Sequence, residues 1–378
     1  MKHMMRMLFS VLLFQCPVLA QGLTARPAPA ATFAASYVGD LVNVMAGGIQ
    51  RGSAYLGVAN LSFTFNAQEA GWWRSGMFFL HAAGTHGAVP SATLIGDLQV
   101  VSNIEAGNHS YLQELWYSHR WGRVEVIAGL QDYNLHFAQN EHSSVYLNSS
   151  FGVPPTISLN SQTSIFPLTS PGITVIWSSS EQVTLLAALF DGSPTTFDRN
   201  PHNLQWHLGS DDGAFIAMEA QYHRGGEDED GLWYRFGAYR HSHRMDCDAE
   251  ESEIDVNYGV YATLDRTLWR SGQGERLDFF ARSSVCPGPR SMNPFFVGAG
   301  VNYHGLLVDA GQDWLGFAFA HAAMREGSSE TTCEVTYQLP VTEHVTVQPD
   351  VQYIIHPAGS SNKGSTAVVG VVRMVVDF

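Results

Sequence analysis

The sequence has few charged residues and, after its first segment, no long apolar run. Asp, Glu, Lys and Arg make up 15% of the 378 residues, whereas a soluble domain usually contains about a quarter. The lack of apolar runs excludes a bundle of membrane helices, in agreement with a mean hydropathy of −0.05. Glycine, serine, asparagine, glutamine and aromatic residues fill the rest. This composition is typical of a membrane β-barrel, whose strands alternate in polarity.

Cysteine is also scarce, and the chain contains only four. Cys247, Cys286 and Cys333 show no C-x-x-C or Cys/His spacing, so neither zinc nor thiol chemistry is indicated. Walker, Rossmann and nucleophile-elbow fingerprints are absent as well. We therefore expect no catalytic residue, no cofactor and no metal site. The net charge of −15 disfavours nucleic acid as a partner.

The one apolar run lies at the start of the chain. Lys2 and Arg6 flank the beginning of an apolar stretch over residues 7–14, which is too short to span a bilayer. Val18-Leu19-Ala20 has the form of a cleavage site, so the pattern predicts a secretory signal peptide over residues 1–20. A short lead-in rich in proline and alanine follows over residues 21–32. We expect a single barrel domain over residues 33–378.

From residue 33 onward, apolar and polar residues alternate in segments of ~10 residues that are separated by turn residues. In one of them, Val345, Val347 and Val351 alternate with Thr346 and Asp350. No stretch has a sustained helical period. We count about sixteen segments, which start near residues 33, 53, 72, 109, 122, 171, 182, 213, 231, 253, 275, 294, 312, 330, 343 and 365.

The connections between these segments alternate in length. Residues 120–123, 178–182, 225–230 and 341–344 form short connections, whereas residues 134–167, 192–210 and 245–253 form long ones. Outer-membrane barrels have short periplasmic turns and longer external loops. The sequence therefore predicts an all-β fold, a transmembrane antiparallel up-and-down β-barrel of about 16 strands.

The last segment shows how such a strand divides its faces. Phe378, Val376, Met374 and Val372 lie on one face, and Arg373 lies on the other. We expect the apolar face to contact lipid and the charged face to contact water inside a pore. Phe378 then serves as the terminal aromatic residue by which outer-membrane assembly machinery recognises its clients.

Tryptophan placement gives a further indication of the membrane boundary. An aromatic girdle at the periplasmic interface predicts tryptophans beside the short connections. Six tryptophans lie there: Trp72, Trp73, Trp121, Trp177, Trp269 and Trp314. A general preference of tryptophan for strand ends is the alternative explanation.

Five stretches resemble the carbohydrate-selective porin family, OprB. They are GDLQVVSNIEA (residues 96–106), LQELWYSHRW (112–121), LNSSFGVPP (147–155), LFDGSP (189–194) and QPDVQYIIHP (348–357). They follow the family order and span most of the chain after residue 20. The resemblance implies a sixteen-stranded, monomeric channel for small sugars in the outer membrane of a Gram-negative bacterium. It also implies that residues 134–167 fold into the lumen as a constriction.

Polar residues on the inward parity of these strands are candidates for contact with a sugar. Carboxylates accept hydrogen bonds from hydroxyls, guanidinium groups donate them, and an aromatic face covers the C–H face of the ring. The candidates for the pore lining are Arg74, Asp97, Glu105, Glu114, Trp116, Arg123, Glu125, Arg235, Asp255, Asp278, Arg282, Asp350 and Arg373. The alternative is a solvated wall, because a basic residue that faces mid-bilayer lipid costs ~2–4 kcal/mol.

Cys247 and Cys286 lie in consecutive long connections, both of which we expect on the external side. We predict a disulfide bond between them that ties the two loops together. Cys333 lies within a strand segment and is expected to be a free thiol.

Two other classes of protein share the barrel pattern: a barrel hydrolase of the outer membrane, and a receptor or structural barrel with a plugged lumen. A hydrolase needs a Ser/His or Asp/His pair at one height on one wall, and no strand carries a compelling pair. The expected partners are small sugars, outer-membrane lipid and lipopolysaccharide, and the barrel assembly machinery, and we expect a monomer rather than a trimer. Single-channel conductance would separate an open channel from the other two classes.

Overall fold

The computed structural model describes residues 29–206, 208, 212–225, 231–242, 257–272, 274–288, 291–308, 311–327, 329–359 and 365–378. The predicted signal peptide at residues 1–20, most of the lead-in, Cys247 and Asp255 lie outside these residues. The first strand begins at Ala31, close to the predicted start of the barrel at residue 33.

Sixteen strands form one closed sheet in which each strand pairs antiparallel with its neighbours in sequence, and the first strand pairs with the last. The strands are β1 (Ala31–Gly47), β2 (Gly52–Asn66), β3 (Gly76–Gly87), β4 (His109–Trp121), β5 (Val124–Gln131), β6 (Ser170–Ser178), β7 (Val183–Asp191), β8 (Ala214–Arg224), β9 (Leu232–His241), β10 (Asn257–Arg270), β11 (Arg276–Val285), β12 (Phe295–His304), β13 (Trp314–Ala323), β14 (Glu330–Pro340), β15 (Val345–Ile355) and β16 (Thr366–Asp377). The predicted antiparallel barrel of about 16 strands is confirmed.

Helical structure in the described residues is limited to short pieces within connections. They are a π-helical turn (Ser91–Ile95), 3-10 turns (Tyr133–Leu135, Ser149–Phe151 and Pro357–Gly359) and the single-turn helix α1 (Pro155–Ser158). Asp132 and Asn148 start two of these turns, since their side chains accept hydrogen bonds from backbone N–H groups two residues ahead. None of the described helices is long and apolar enough to cross a membrane.

Alternation along each strand separates an apolar outer face from a more polar inner face. On β16, Val372 and Met374 are 48% and 42% exposed, whereas Arg373 between them is only 5% exposed. A shift of register by one residue would turn Arg373 outward and the apolar residues inward, so this pattern specifies the pairing. The predicted division of the faces of the last strand is correct.

Exposed tryptophans mark the end of the barrel that carries the short turns. Trp121, Trp177 and Trp269 lie at or next to the ends of β4, β6 and β10, and Trp72 and Trp73 lie in the turn before β3. All five are exposed, as the predicted interfacial girdle requires.

Trp314 is at the same end but points the other way. It pairs with His304 on β12 and with Gln338 on β14, and both of these residues are buried on the inner face. The ring of Trp314 lies 4.1 Å from that of His304. Its parity along β13 therefore turns it to the lumen, and its assignment to the outer girdle is wrong.

Predicted and observed strand starts differ by at most four residues, as at residue 72 against Gly76 for β3. β3 starts later than predicted because a turn precedes it. In this turn, Asn66 Oδ1 accepts hydrogen bonds from the N–H groups of Gln68 at 3.0 Å and Glu69 at 3.2 Å. Arg74 consequently lies in this exposed turn and not on the inner wall, contrary to the prediction.

Candidate solute pathway

The connection between β5 and β6, residues 132–169, is the long loop of this barrel, and inward-facing side chains hold its backbone. Glu334 on β14 accepts hydrogen bonds from the N–H groups of Leu147 at 2.6 Å and Asn148 at 3.1 Å. Gln348 on β15 donates to the carbonyl of Val145 at 2.6 Å. These side chains satisfy backbone groups that no regular secondary structure pairs. The long loop therefore lies against the inner side of the wall.

An earlier part of the long loop is held by carboxylates on β8 and β10. Glu219 accepts a hydrogen bond from the N–H of Ala138 at 2.8 Å. Asp265 accepts hydrogen bonds from the N–H groups of Glu141 at 3.2 Å and His142 at 3.1 Å. These two side chains thus accept three N–H groups of the loop and anchor it to the wall.

Two arginines complete this anchorage. Arg282 on β11 donates to the carbonyls of Phe151 and of Gly152, the latter at 2.9 Å. Arg235 on β9 donates to Asp265 Oδ2 at 2.7 Å. Arg235 and Arg282 are thus committed to protein partners.

Residues 96–106, between β3 and β4, run beside the long loop. The N–H of Asn103 donates to the carbonyl of Leu147 at 2.8 Å, and the N–H of Ser149 donates to the carbonyl of Val100 at 2.9 Å. Glu330 on β14 accepts hydrogen bonds from the N–H groups of residues 98 and 99, both at 2.9 Å. This segment therefore packs against both the long loop and β14.

Asp40 and Arg373 join the first strand to the last on the inner face. The two residues are direct partners in the register of β1 with β16. Arg373 Nε and Nη2 donate to the two carboxylate oxygens of Asp40, each at 2.8 Å. Ser102 donates to Asp40 at 2.7 Å, and Arg373 donates to Asn103 Oδ1 at 2.8 Å. The same pair therefore closes the barrel and holds residues 102 and 103.

Asp278 is the centre of an ion cluster between the long loop and the wall. Its Oδ2 lies 2.6 Å from Arg276 Nε, 2.8 Å from His304 Nε2 and 3.6 Å from His142 Nδ1. Thr267 donates to its other oxygen at 2.8 Å. Asp278 is completely buried among these groups, so the geometry suits a fixed structural centre.

Glu114 and Trp116 lie on the inner face of β4, as predicted. Trp116 Nε1 donates to Glu114 Oε2 at 2.9 Å, and its ring centroid lies 5.0 Å from that of Phe79. His81 Nδ1 lies 3.6 Å from the other oxygen of Glu114. Trp116 is buried in this arrangement, so little of its ring is open to a solute.

Arg120 and Glu125 form an ion pair near the short-turn end of β4 and β5. The side chain of Arg120 is 32% exposed, unlike that of Glu125 at 6%. Arg123 lies in the tight turn between these strands and donates to the carbonyl of Ser179 at 2.7 Å. Arg120 therefore has donor capacity open to the lumen, whereas Arg123 lies at the rim.

A second set of inward-facing side chains, some of them partly exposed, lies on β8 and β9. Trp233 pairs with His223 and Asp265 in the sheet and shares their inward parity. Its ring centroid lies 4.1 Å from that of His223 and 5.0 Å from the guanidinium carbon of Arg235. Trp233 and the neighbouring inward residue Gln221 both keep partial exposure.

The surroundings of two acidic residues in the β3–β4 connection raise their pKa values. Burial, together with the nearby carboxylate of Glu330, raises the pKa of Asp97 to about 8. Burial also raises the pKa of Glu105 to about 7, although Glu105 accepts hydrogen bonds from the N–H of Ser91 at 3.2 Å. Glu105 therefore holds Ser91 within this connection, whereas Asp97 lies buried near Glu330 on β14.

The predicted lining residues thus fall into two sets. Eight lie on the inner wall, each less than a tenth exposed and bonded to other protein groups: Glu114, Trp116, Glu125, Arg235, Asp278, Arg282, Asp350 and Arg373. Four others lie off the wall, Asp97 and Glu105 in the β3–β4 connection and Arg74 and Arg123 in turns. Asp255 lies outside the described residues. Whether any of them touches a solute stays a prediction.

Several anchoring residues were not among the candidates, namely Asp40, Asp265, Glu330 and Glu334. Each has the inward parity of its strand and is almost fully buried. On β14, Glu330 and Glu334 alternate with threonines in the sequence ETTCEVT, a signal that parity alone could have used.

Cys286 lies just beyond β11, where its sulfur is 3.1 Å from Ser291 Oγ. Cys247 lies outside the described residues, so the predicted Cys247–Cys286 disulfide bond stays a prediction. Cys333, on β14, is a free thiol, as expected.

Comparison with known proteins gives a consistent result. Residues 50–378 match the model of a family described as carbohydrate-selective porin, OprB family. The fold is similar to that of Pseudomonas putida OprB at high pH, with a TM-score of 0.82 at 18% identity, covering 92% of this chain and 94% of that one.

More distant similarities were also found. The low-pH structure of Pseudomonas putida OprB gives a TM-score of 0.60 at 16% identity, covering 92% of this chain and 93% of that one. A mutant of Rhodopseudomonas blastica porin gives 0.54 at 13% identity, covering 92% and 100%. Among curated protein sequences, none matches this chain significantly.

Proposed function

Because this chain belongs to the carbohydrate-selective porin family, OprB, we propose that a sugar passes between the long loop and one part of the wall and contacts the side chains that are open there. The protein is a porin of the Gram-negative outer membrane, through which small sugars diffuse passively and selectively. Its family and fold are those of a channel. We further propose that it carries out no chemistry on its solute.

The passage runs between the long loop and the wall formed by β3, β4, β8 and β9. The exposure of inward-facing polar groups supports this assignment. Arg120 and His81 keep 32% and 17% of their side-chain surface, and Gln221 and Trp233 keep partial exposure. On β10 to β16, buried carboxylates such as Glu334 are instead covered by loop backbone, and Arg276, whose side chain is 27% exposed, is committed to Asp278.

These open groups have the chemistry that a sugar needs. Arg120 donates hydrogen bonds and Gln221 both donates and accepts them, while Trp233 offers an aromatic ring for the apolar face of a pyranose. The ion pair with Glu125 fixes the guanidinium of Arg120. Contacts with few hydrogen bonds bind weakly, and weak binding is required if a solute is to leave the channel.

The outer face of the wall and the end of the chain have partners of their own. We propose that the outer face contacts phospholipid and lipopolysaccharide, and that the chain works as a monomer. Phe378 is 79% exposed next to β1, where its N–H donates to the carbonyl of Ala35 at 2.9 Å. This accessibility suits recognition by the assembly machinery.

Single-channel recording in planar bilayers tests the passage. Glucose, xylose and a disaccharide are titrated against the current of the wild type, Arg120→Ala and Trp233→Ala. Loss of one or two hydrogen bonds at about 1 kcal/mol each should weaken the sugar block roughly five- to thirtyfold in Arg120→Ala. We expect a smaller weakening in Trp233→Ala.

Arg74→Ala is the matched control, because Arg74 lies in an exposed turn outside the wall. If all three variants are blocked by sugar as the wild type is, the passage lies elsewhere. A barrel without steady conductance steps would instead indicate a plugged lumen.

A further inference from the structure

The wall of the barrel is incomplete between β4 and β5. β4 begins at His109, but its pairing with β5 extends only from Leu115 to Trp121. Residues 109–114 therefore have β3 on one side and no strand on the other. A strand edge left open in a membrane would expose unpaired N–H and C=O groups, which lipid cannot satisfy.

Residues of the β7–β8 connection occupy this open edge. The N–H of Leu112 donates to the carbonyl of His202 at 3.0 Å, and His202 Nδ1 donates to the carbonyl of Ser110 at 2.7 Å. Asn203 Nδ2 donates to the carbonyls of Leu112 and Thr169, each at 3.1 Å. Thr169 directly precedes β6, so Asn203 bridges the gap from β4 to β6.

The connection crosses from the inside of the barrel to this edge. Phe197 stacks on His109 with ring centroids 4.0 Å apart and lies 4.8 Å from the inward-facing ring of Tyr111. Six residues later, Asn203 is buried in the gap itself, with 1% exposure. Leu204, Gln205 and Trp206, which follow Asn203, are exposed again.

Three of the described residues after Asn203 are apolar and exposed. Leu204, Trp206 and Leu208 are 62%, 42% and 77% exposed. Asn200 Oδ1 accepts hydrogen bonds from the N–H groups of Leu204 at 3.1 Å and Gln205 at 3.2 Å. Trp206 Nε1 donates to the carbonyl of Asn203 at 2.8 Å. Since its only polar side-chain atom is already bonded, the indole of Trp206 can enter an apolar environment at little cost.

The height of the gap places these residues at the edge of the lipid belt. Leu112 lies nine residues from Trp121, which marks the short-turn interface. At ~3.3 Å per residue and a tilt of ~40°, this distance corresponds to about 23 Å along the barrel axis. The apolar band of such barrels is ~25 Å tall. The segment therefore continues the apolar outer face at the external leaflet.

We propose that residues 202–206 close the gap in the wall and insert Leu204 and Trp206 among the acyl chains of the external leaflet. The occupant of this surface is lipid, because the segment is bonded to the outer rim of a wall whose adjacent face already contacts the bilayer. A second copy of the chain and bulk water are the competing occupants.

Fluorine NMR of the chain labelled with 5-fluorotryptophan in lipid nanodiscs tests the proposal. The chain has nine tryptophans, and the resonance that Trp206→Phe removes identifies Trp206. We expect a nitroxide on the lipid acyl chain to broaden this resonance and a water-soluble gadolinium chelate to leave it sharp. Broadening by the chelate alone would overturn the proposal in favour of water, and broadening by neither would overturn it in favour of a covering protein copy.

A pair of neighbouring variants gives a second readout. Leu204→Asp places a charge on the apolar surface, whereas Gln205→Asp places the same charge on an exposed polar neighbour. In vesicles, we expect Leu204→Asp to lower the urea midpoint of unfolding and Gln205→Asp to leave it near the wild-type value. Equal midpoints for the two variants would overturn the proposal.

Discussion

The phenol ring of Tyr261 occupies the space that a side chain at Gly237 would need. The two residues are partners in the register of β9 with β10, and a Cβ added at Gly237 would overlap the ring. Tyr261 donates to Glu219 at 2.5 Å, and Glu219 accepts the N–H of Ala138 in the long loop. Because Gly237 on β9 has no side chain, the ring of Tyr261 can lie over it and donate to Glu219, which holds the long loop.

We therefore expect Gly237→Ala to destabilise the barrel by about 1–3 kcal/mol, the usual cost of overpacking. Urea unfolding in detergent micelles, followed by heat-modifiable mobility on gels, measures this. Gly272→Ala is the control, since its Cβ would meet nothing within 4 Å. Equal stability of the two variants would contradict the role given to Tyr261.

Removing one partner of the Asp40–Arg373 pair should be costly. Asp40→Leu leaves a buried guanidinium without its carboxylate, and such losses are about 3–5 kcal/mol. The double variant Asp40→Leu/Arg373→Met removes both charges and should recover most of this loss. Urea unfolding of the two single variants and the double variant tests the coupling. Additive losses in the double variant would show that the two side chains do not act together.

Glu334 should control the position of the long loop. In Glu334→Ala, the N–H groups of Leu147 and Asn148 lose their acceptor, so we expect greater open-channel current noise and a changed conductance. Glu334→Gln retains one acceptor oxygen and should give an intermediate result. Glu326→Ala, at an exposed external position, serves as the control. Quiet, wild-type currents in Glu334→Ala would disprove the anchoring role.

Asp97 should make stability depend on pH. Its pKa is raised from 3.8 to about 8, so the folded state keeps a proton that the unfolded state has lost. Stability therefore falls as pH rises from about 4 to about 8 and is constant above that range. Asp97→Asn removes this slope, and at pH 9 its free energy of unfolding should exceed that of the wild type by up to ~6 kcal/mol. Urea unfolding at pH 5 and pH 9 checks the sign, since the difference between the proteins should be small at pH 5.

Most of the fold could be predicted from the alternation of side chains along each strand. Val372 and Met374 could be assigned to lipid and Arg373 to the interior because a period of two survives any error of a few residues in the strand ends. The turn before β3 was missed, since the Asn66 side chain that caps it gives no distinct signal in TFNAQEAGWWR.

The partners of the inward residues could not be inferred in the same way. Parity identified Arg282 and Arg373 as inward, yet whether such a group meets water or loop backbone depends on where the long loop lies. That position is set by contacts such as Glu334 with Leu147, between residues 187 positions apart. No local pattern encodes such a pairing, so the predicted sugar contacts and the observed anchors could not be separated.

These distant contacts have a consequence for the order of assembly. Residues 145 and 147 of the long loop are held by Gln348 and Glu334, which follow them by 203 and 187 positions. Contacts of such sequence separation form late, because a large chain entropy must be lost first. We therefore expect the long loop to settle against the wall only after β14 and β15 have joined the sheet, so that it is held loosely during the earlier steps of assembly.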